Sequence, residues 1–579
     1  MANYYTNEKN AQVVISLLKQ YGIKKVVASP GTTNMAFVAS IQQDPFFEVY
    51  SSVDERSAAY IACGLSAESS EPVVLSCTGA TASRNYLPGL TEAYYRKLPI
   101  LSITSTQVAS KVGHHMAQVI DRSSLPNDVV NYSVYLPLVK DEDDLWDCEI
   151  KANKALLELS RRGGGPVHIN LATGYSTDYS VQELPKSRII HRINQEGNFP
   201  NLPNGKIAIF IGSHKKMSEN LSKAIDNFCA THNAVAFCDH TSNYYGKYRV
   251  LYSLVAGQRL FDKSESRPDL LIHIGEISGD YSLLGMGGKE VWRVNEDGEI
   301  RDTFRKLSYV FEMPEEFFFD KYTNTENADD SYLQFCNHQL SETRNKIPDL
   351  PFSNIWLASR MAHLIPDGST IHFGILNSLR SWNFFELPNS VISSSNVGGF
   401  GIDGNISSLL GASLADKNKL YFGVVGDLAF FYDMNVVGNR HVGNNIRILL
   451  VNNGKGTEFR QFNHKAAQFG VDADEFIAAA GHFGNKSTEL VKHYAQNLGF
   501  EYMSASTKDE FDHVYERFLV PEQTDKPMLF EVFTDSEEES KALEIITSLE
   551  ISGNIKAKEF ARNILGKKGF EAAKKIMRR

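Results

Sequence analysis

The amino-acid sequence predicts an α/β fold made of doubly wound parallel sheets. Short apolar runs alternate with longer helical patterns along most of the 579 residues, as expected for parallel strands joined by crossover helices. The order of strand, helix and strand is clearest in the first and last thirds of the chain. A chain of this length exceeds what a single core supports. Because the same order of elements recurs at both ends of the chain, we expect two similar domains that flank a third.

The first predicted domain covers residues 1–185 and begins with the helical pattern NEKNAQVVISLLKQYG. Its predicted strands are KKVVASPG, FEVYSSV, PVVLSCTG, PILSITS and GPVHINLA. A long polar connector then separates it from a central domain, residues 186–345. The central domain contains the apolar runs KIAIFIGS, NAVAFCDHTSNY and RPDLLIHIGE.

The third predicted domain covers residues 346–540 and begins with the helix SNIWLASRMAHLIPDG. Its predicted strands are STIHFGI, SVISSS, KLYFGVVGD, IRILLVNN and PMLFEVFTD. Residues 541–579 form a tail rich in Lys and Arg with a helical pattern. This tail is interpreted as an amphipathic helix packed on its own subunit, with an active-site lid and a partner contact as alternatives.

The composition argues against several classes of protein. Hydrophobic residues make up 42% and charged residues 22% of the chain, which is ordinary for a folded globular protein. The net charge of −10 gives no basic surface for nucleic acid, and no apolar run is long enough to span a membrane. The first residues lack a signal-peptide pattern, so we predict a cytoplasmic protein. The six cysteines form no C-x-x-C pair and are predicted to be reduced core residues.

Oxygen-bearing side chains follow two neighbouring predicted strands. Asp427 ends one apolar run and Asn453 ends the next, and the carboxyl ends of parallel strands meet at a common crevice. Carboxylate, amide and main-chain oxygens are ligands that suit Mg²⁺, which often takes its other ligands from phosphates. The sequence therefore predicts a magnesium site that binds a diphosphate. The alternative is that Asp427 caps a helix and the amides form a turn.

The same spacing resembles the cofactor motif of the thiamine diphosphate-dependent 2-oxo acid decarboxylase and carboligase superfamily. Further segments occur in the order seen in that superfamily, among them DERSAAYIACGLSAE, TGATASRNYLPGLTEAYYRKLPILSITS and GFGIDGNISSLLGASLA. They look most like the 2-succinyl-5-enolpyruvyl-6-hydroxy-3-cyclohexene-1-carboxylate synthase family, and less like acetolactate synthases. The resemblance implies pyrimidine-binding, central and diphosphate-binding domains. It also implies a homodimer or homotetramer with active sites at the subunit interface.

The resemblance assigns the cofactors and their ligands. Mg²⁺ is expected to bind Asp427, Asn453 and the main-chain oxygen of Lys455. Glu55 is expected to hydrogen-bond the aminopyrimidine of thiamine diphosphate, although it could simply be a favourable first-turn acid of a helix. Ile402 is expected to wedge between the two cofactor rings, unless its segment is only a loop before a helix. The other expected cofactor-binding residues are Thr81, Asn377, Ser378, Gly426, Leu428 and Ala429, where Leu428 replaces the usual Gly.

The expected substrate site lacks charge. The synthase family that this chain most resembles handles polyanionic substrates, and arginine suits carboxylates. The matching positions here are uncharged: Thr33, Gln107, Trp382 and Val397. Gln118 matches a glutamine of carboligating members, and together with His115 it is assigned a catalytic role. The remaining candidate substrate residues are Thr32, Thr33, His114, Trp382 and Arg460. The His pair could instead lie in a surface loop, and Arg460 could be a solvent-exposed helix residue.

The resulting hypothesis is an enzyme that uses thiamine diphosphate and Mg²⁺ to decarboxylate a small 2-oxo acid. It would transfer the acyl carbanion to a carbonyl acceptor, with pyruvate as the expected donor. The alternatives are a simple decarboxylase, in which a proton replaces the acceptor, and a catalytically silent binding protein. No FAD is expected, because the central domain has FIGSHKK in place of the dinucleotide-binding fingerprint.

Overall fold

The computed structural model describes residues 4–323, 329–481 and 487–550. The chain divides into two compact units, one of residues 1–197 and 298–312, the other of residues 198–297 and 313–579. Three parallel sheets with helices between their strands confirm the predicted α/β fold. The predicted boundaries of the three domains remain a prediction. Most of the predicted tail, residues 551–579, lies outside the described residues.

The first unit contains a six-stranded parallel sheet with the order β2-β1-β3-β4-β6-β5. Its strands are β1 (Lys25–Ala28), β2 (Glu48–Ser51), β3 (Val73–Thr78), β4 (Ile100–Thr106), β5 (Tyr132–Leu136) and β6 (Val167–Ala172). Its helices are α1 (Lys9–Gln20), α2 (Met35–Ile41), α3 (Glu55–Ser69), α4 (Ala80–Asn85), α5 (Leu87–Tyr95) and α6 (Glu142–Glu158). A parallel pair, β7 (His191–Asn194) with β13 (Leu307–Glu312), completes the unit.

Both faces of this sheet are covered, as the apolar runs predict. Val26 belongs to a core that includes residues of α1, α2 and α6. Its neighbour Val27 belongs to a separate core that includes residues of α3 and α5. Because successive residues of a strand point to opposite faces, helices pack on both sides, which is the doubly wound arrangement.

The second unit contains strands of the central sheet and the whole of the last sheet. The central strands, in the order β10-β9-β8-β11-β12, are β8 (Ile207–Ile211), β9 (Val235–Cys238), β10 (Arg249–Leu251), β11 (Leu270–Ile274) and β12 (Glu290–Val294). The last sheet, ordered β15-β14-β16-β17-β19-β18, has β14 (Thr370–Phe373), β15 (Ile392–Ser395), β16 (Tyr421–Gly426), β17 (Ile446–Asn452), β18 (Glu501–Ala505) and β19 (Met528–Phe533).

The described helices of the second unit follow in chain order. Those before the last sheet are α7 (Glu219–His232), α8 (Ser253–Ala256), α9 (Tyr281–Leu284), α10 (Glu315–Tyr322), α11 (Ser331–Arg344) and α12 (Asn354–Met361). Those within it are α13 (Asn377–Trp382), α14 (Asn405–Ser413), α15 (Asp427–Tyr432), α16 (Met434–Val437), α17 (Leu490–Asn497), α18 (Lys508–Phe518) and α19 (Ser536–Ile546).

The first and last sheets have the same strand order, which confirms the prediction of two similar domains. β14 occupies in the last sheet the place of β1 in the first, and β16 occupies that of β3. In each sheet the order reverses at this central pair, and ligands of open α/β sheets bind beyond the carboxyl ends of the strands at such a point. The candidate residues therefore follow equivalent strands: Glu55 follows β2, and Ile402 follows β15.

Every apolar run interpreted as a strand forms one, but six of the strands within the described residues were not predicted. These are β5, β7, β10, β12, β13 and β18. β5 and β18 are edge strands with partly exposed residues, so they lack the continuous apolar run of a buried parallel strand. β10 has only three residues, too few to give a pattern.

Two further expectations can be compared with the described residues. All six cysteines are buried with free thiols, as predicted for core residues. Across residues 4–323, 329–481 and 487–550, no helix has the length and apolar character needed to cross a membrane.

Close packing of α5 on α3 gives a first testable prediction. A Cβ built on Gly89 would lie 2.4 Å from the Cβ of Ala59 and 3.0 Å from its carbonyl carbon. Gly89→Ala is therefore expected to lower the free energy of unfolding by about 1–3 kcal/mol through overpacking. Gly411→Ala is the matched control, because a Cβ there meets nothing within 4 Å inside α14. Urea unfolding followed by circular dichroism should show a lower midpoint for Gly89→Ala only; equal midpoints would contradict the packing.

Candidate active site

The ends of β16 and β17 are joined by the carboxylate of Asp427. Gly426 pairs with Val451 in the sheet, so the two loops start side by side. Asp427 is 2% exposed, and its Oδ2 accepts a hydrogen bond of 2.8 Å from the main-chain N–H of Gly454. Its Oδ1 accepts 2.9 Å from Leu428 N–H. Asp427 is the first residue of α15, and the N-cap is Gly426, so the helix-cap alternative is wrong.

The two amides after β17 have different environments. Asn452 donates 2.7 Å to Glu531 Oε1 and is thereby turned into the core. The Oδ1 atom of Asn453 is buried, yet it has no hydrogen-bond partner among the described residues. A buried amide oxygen without a donor is costly, and a cation would satisfy it. Asn453, the amide predicted to bind the metal, is thus the one whose side-chain oxygen remains available for a cation.

The space around this loop also suits a bound group. A Cβ on Gly426 would meet nothing within 4 Å, which leaves room beside the main chain at the start of α15. Gly454 has φ of +81°, a conformation that glycine adopts readily. The donor set of one carboxylate, one amide oxygen and a main-chain carbonyl is the hard oxygen chemistry of Mg²⁺. The residues present therefore fit the predicted metal and its diphosphate.

The side chain of Lys455 holds the loop to the segment that follows it. Its Nζ lies 2.8 Å from Asp474 Oδ2, and Arg460 Nη1 lies 2.9 Å from Asp474 Oδ1. Gly456 N–H also donates to Ala478 O at 2.6 Å. Arg460 is ion-paired and only 13% exposed, so it is neither a solvent-exposed helix residue nor an unpaired anion contact.

The Asn377–Ser378 pair begins α13 beyond the end of β14. The preceding Leu376 has φ of +60°, a strained conformation for a branched residue that often marks functional sites. Asn377 Oδ1 accepts 3.2 Å from Arg380 Nη2, and Arg380 forms a two-bond ion pair of 3.1 and 2.7 Å with Glu458.

Glu539 of α19 hydrogen-bonds Asn377 of this pair, and no sequence pattern marks it. Its carboxylate is 0% exposed and accepts 2.9 Å from Asn354 N–H, 2.8 Å from the Thr534 hydroxyl and 3.5 Å from Asn377 Nδ2. Burial raises its pKa to about 6 in spite of these donors and the nearby Arg380. The pattern SEEES alone suggests only a solvated first helical turn.

Two further candidates in the second unit, Ile402 and Trp382, differ in how deeply they are buried. Ile402 is half-buried and packs against the apolar core under α14, with its carbonyl accepting 2.6 Å from Asn405 Nδ2. Trp382 is 0% exposed, and its indole N–H donates 3.2 Å to Asn354 Oδ1. Trp382 therefore offers no surface to a substrate and acts as a core residue of α13.

In the first unit, Glu55 starts α3 directly after the loop that follows β2. Asp54 provides the N-cap, accepting 3.1 Å from Arg56 N–H. The Glu55 side chain is partly buried. Burial raises the pKa of the Cys77 thiol to about 12, and the negative charge of Glu55 adds to that rise. The carboxylate thus lies near the end of β3, at the crevice.

The residues after β1, β3 and β4 form the rest of this edge. Thr33 is 3% exposed and donates 3.0 Å to Ser105 O, whereas Thr32 and Thr81 are exposed. His114, His115 and Gln118 are all exposed. His115 and Gln118 have φ of +53° and +62°, so this loop is strained at both candidate catalytic positions.

One buried cation near this edge was not anticipated. Arg122 is 5% exposed and donates 2.6 Å to Asn170 Oδ1, while its Nε and Nη1 have no partner among the described residues. Burial lowers its pKa to about 10. A Cβ on Gly79 would lie 3.2 Å from Nη1, so the guanidinium lies under the β3–α4 loop. A single Arg outside any apolar pattern gives no signal in the sequence.

Comparison with known proteins agrees with this arrangement. Residues 8–125 match a family model described as the thiamine pyrophosphate enzyme, N-terminal TPP binding domain. A 2-succinyl-5-enolpyruvyl-6-hydroxy-3-cyclohexene-1-carboxylate synthase of Phocaeicola vulgatus is 29% identical over 570 residues, covering 93% of this chain and 98% of its own. The chain is thus similar to thiamine pyrophosphate enzymes in residues 8–125 and to this synthase over nearly its full length.

Two further proteins are similar to this chain, to different extents. The enzyme of that name from Bacteroides fragilis is 29% identical over 565 residues, with 93% and 98% of the two chains covered. A solved thiamine diphosphate-dependent 4-hydroxybenzoylformate decarboxylase from Rhodococcus jostii aligns with 17% identity and a TM-score of 0.39, covering 91% and 99%. Because this TM-score is low, the description of the fold depends on the strand orders of the sheets and not on this alignment. Similarity over nearly the full length supports an enzyme of this superfamily.

The buried Glu539 gives a prediction that depends on pH. Its pKa in the folded protein is about 6, against an ordinary value of 4.5, so the folded state holds the proton more tightly than the unfolded state. The stability that this proton provides is present below pH 4.5 and is lost as the pH rises through 6, by about 2 kcal/mol in total.

Glu539→Gln removes that titration. The stability of the variant relative to wild type should therefore increase by about 2 kcal/mol between pH 4.5 and pH 7, measured by urea unfolding at both pH values. Glu537→Gln, at an exposed position of the same helix, serves as the control. A constant difference between Glu539→Gln and wild type at the two pH values would show that Glu539 titrates normally.

Proposed function

We propose that the protein uses thiamine diphosphate and Mg²⁺ to decarboxylate a small 2-oxo acid and to transfer the acyl group to a carbonyl acceptor. The observation that carries this proposal is the convergence of Asp427 and Asn453 at the ends of β16 and β17. The Gly454 N–H holds the carboxylate in place, and the buried Asn453 Oδ1 has no donor within residues 4–323, 329–481 and 487–550.

The main cofactor-site candidates have distinct roles in this proposal. Asp427, Asn453 and the carbonyl of Lys455 hold the metal, and Gly426 leaves space for the diphosphate. Glu55 binds and polarises the pyrimidine of the cofactor, and Ile402 orients its rings. Bound thiamine diphosphate supplies a ring that accepts the electron pair left when CO₂ departs. The site must also exclude water, so that the acceptor receives the acyl group in preference to a proton.

The overall reaction balances without any redox partner. The bond between the carbonyl and carboxylate carbons of the 2-oxo acid breaks, and CO₂ leaves. A new carbon–carbon bond forms between the former carbonyl carbon and the carbonyl carbon of the acceptor. The acceptor oxygen takes up one proton and becomes a hydroxyl group. Gln118 and His115, both in the strained loop after β4, are the proposed residues for orienting the acceptor and moving this proton.

The sequence positions matched to the arginines of related enzymes carry no charge here, which favours a small donor. Thr33 and Val397 are buried and uncharged, with 3% and 4% exposure. The side-chain oxygen of Gln107 accepts 2.6 Å from Lys111 Nζ. These positions provide no arginine fork for a second carboxylate, which supports pyruvate over a dicarboxylic donor.

An exposed apolar face beside Glu55 supports assembly as a homodimer or homotetramer. Tyr60 and Ile61 of α3 are 48% and 47% exposed, and Val53 before the helix is 79% exposed. Large apolar side chains grouped on one face are typical of protein interfaces. We propose that a second copy covers this face, so that Glu55 of one subunit meets the metal loop of the other.

Substitution of the two acids should separate cofactor binding from chemistry. Asp427→Asn is expected to weaken Mg²⁺-dependent binding of thiamine diphosphate, since it removes the one carboxylate ligand. Glu55→Gln should retain most of that binding but lose at least about 100-fold in turnover, in the range of acid–base contributions. Titration calorimetry with and without Mg²⁺ and assay of CO₂ release measure the two effects.

Glu68→Gln, on an exposed position of α3, is the control and should match wild type. Wild-type activity in Glu55→Gln would refute the proposed role of Glu55. Absence of calorimetric binding in the wild-type protein would refute the proposed function itself. Product analysis with and without an added aldehyde distinguishes acyl transfer from simple decarboxylation, which would give only the aldehyde derived from the 2-oxo acid.

Mixing the two inactive variants tests whether the site is shared between subunits. If Glu55 and Asp427 act across the interface, a mixed dimer of Glu55→Gln and Asp427→Asn contains one intact site and one doubly changed site. After subunit exchange, half of the dimers are mixed, so about one quarter of wild-type activity should return. If both acids serve the same site from one subunit, the mixture stays inactive.

A further inference from the structure

Three hydrogen-bonded side chains lie on one face of the last sheet, next to the proposed metal ligands. Asn452 Nδ2 donates 2.7 Å to Glu531 Oε1, and the Tyr502 hydroxyl donates 2.8 Å to Glu531 Oε2. In the register of the sheet, Glu531 pairs with Leu450 of β17 and with Ser504 of β18. Asn452 and Tyr502 are each two residues from these partners, so all three side chains point to the same face. They connect three adjacent strands.

The central acid of this chain is sealed from solvent. Glu531 is 1% exposed, and each of its carboxylate oxygens accepts one of the two hydrogen bonds. Burial raises the pKa of the Glu531 carboxyl, and the negative charge of Asp427 adds to that rise. A buried carboxyl group is costly, and an apolar side chain at this strand position would avoid the cost. The acid therefore indicates that a polar partner has to be held here, and that partner is Asn452.

The orientation of Asn452 matters because an identical side chain follows it. Asn452 is the last residue of β17, and Asn453 is the first residue after the strand. The bond to Glu531 keeps the Asn452 amide on the side of the core. The buried Asn453 Oδ1 has no hydrogen-bond partner in the part of the chain that the structure describes. If Asn452 lost its acceptor, the turn after β17 would no longer be fixed and either amide could face Asp427.

We propose that Glu531 and Tyr502 are positioning residues for the metal: they hold Asn452 on the core side and thereby direct the side-chain oxygen of Asn453 toward the cation. Neither residue is proposed to touch the metal or the substrate. This inference rests on the proposed function, because it concerns the Mg²⁺ of the same site. Groups that orient metal ligands commonly change metal affinity by about 10- to 100-fold. The affinity for the metal, and not the rate at saturating metal, should therefore depend on this pair.

Mn²⁺ serves as a spectroscopic substitute for Mg²⁺, because it accepts the same oxygen ligands. Electron paramagnetic resonance of free Mn²⁺, with thiamine diphosphate present and no substrate, gives a Kd that needs no turnover. Glu531→Leu should raise this Kd roughly tenfold or more, since Asn452 loses its acceptor. Glu531→Gln keeps a side-chain oxygen for Asn452 and should stay close to wild type. Equal weakening in both variants would show that the charge of Glu531 attracts the metal, and would overturn the proposal.

Tyr502→Phe tests the outer end of the chain and decides the matter if Glu531→Leu does not fold. It keeps the ring in place but removes the donor to Glu531, so the Kd should rise several-fold. Tyr494→Phe is the matched control, because the Tyr494 hydroxyl donates 3.0 Å to Met434 O and its ring packs against the same core. Its Kd should equal that of wild type. Equal increases in both tyrosine variants, or no increase in Tyr502→Phe, would contradict the proposal.

A double substitution tests whether Glu531 acts through Asn452. Asn452→Ala removes the group that Glu531 is proposed to hold. Adding Glu531→Leu to that variant should leave the Kd for Mn²⁺ unchanged, because the effects of two residues that act through one contact are not additive. A further tenfold loss on adding Glu531→Leu would show that Glu531 acts by another route.

Steady-state assays separate this inference from the proposed function. In Glu531→Leu the Mg²⁺ concentration for half-maximal activity should rise, while kcat at saturating Mg²⁺ stays near that of wild type. Mn²⁺ binding that Glu531→Leu weakens supports the positioning role even if no 2-oxo acid is decarboxylated, which counts against the proposed function alone. Mn²⁺ binding unaffected by Glu531→Leu counts against the positioning role even if decarboxylation is found. A wild-type protein that binds no Mn²⁺ would overturn both.

Discussion

The hydrogen bond from Gly454 N–H to the carboxylate of Asp427 is the contact on which the candidate site depends. It joins two loops that leave adjacent strands, and its acceptor is the almost fully buried carboxylate of Asp427. A buried carboxylate is stable only when it is hydrogen-bonded or paired with a cation. The fold therefore places a negative group beside the unsatisfied oxygen of Asn453, and the proposed metal would balance both.

Residues from the last third of the chain hold this arrangement in place. Glu531 fixes Asn452 and so separates the roles of the two neighbouring amides. Asp474 binds both Lys455 and Arg460 and thereby holds the loop against the following segment. Glu539 reaches Asn354 and Asn377 from α19. The oxygen atoms proposed to bind ligands are thus positioned by two buried acids, Glu531 and Glu539, and by the partly exposed Asp474.

The sequence predicted the fold and the central part of the site, but not this supporting layer. Buried parallel strands leave continuous apolar runs, and a polar residue directly after such a run is visible, as Asp427 and Asn453 were. Edge strands such as β5 lack that pattern. Glu539, Asp474 and Arg122 act through contacts with residues far away in sequence, so no local spacing marks them. The prediction of Trp382 as a substrate residue is wrong, because a position in the sequence cannot show whether a side chain points toward a crevice or into a core.

The same tryptophan has a practical consequence. Its indole donates to Asn354 Oδ1, and Asn354 Nδ2 lies 3.4 Å from the hydroxyl of Ser378, one of the two residues proposed to face the cofactor. The chain has only four tryptophans, and this one is sealed from solvent at the other end of the short helix that starts with Asn377. Its fluorescence is therefore expected to respond to events at Ser378, against a background from the other three tryptophans.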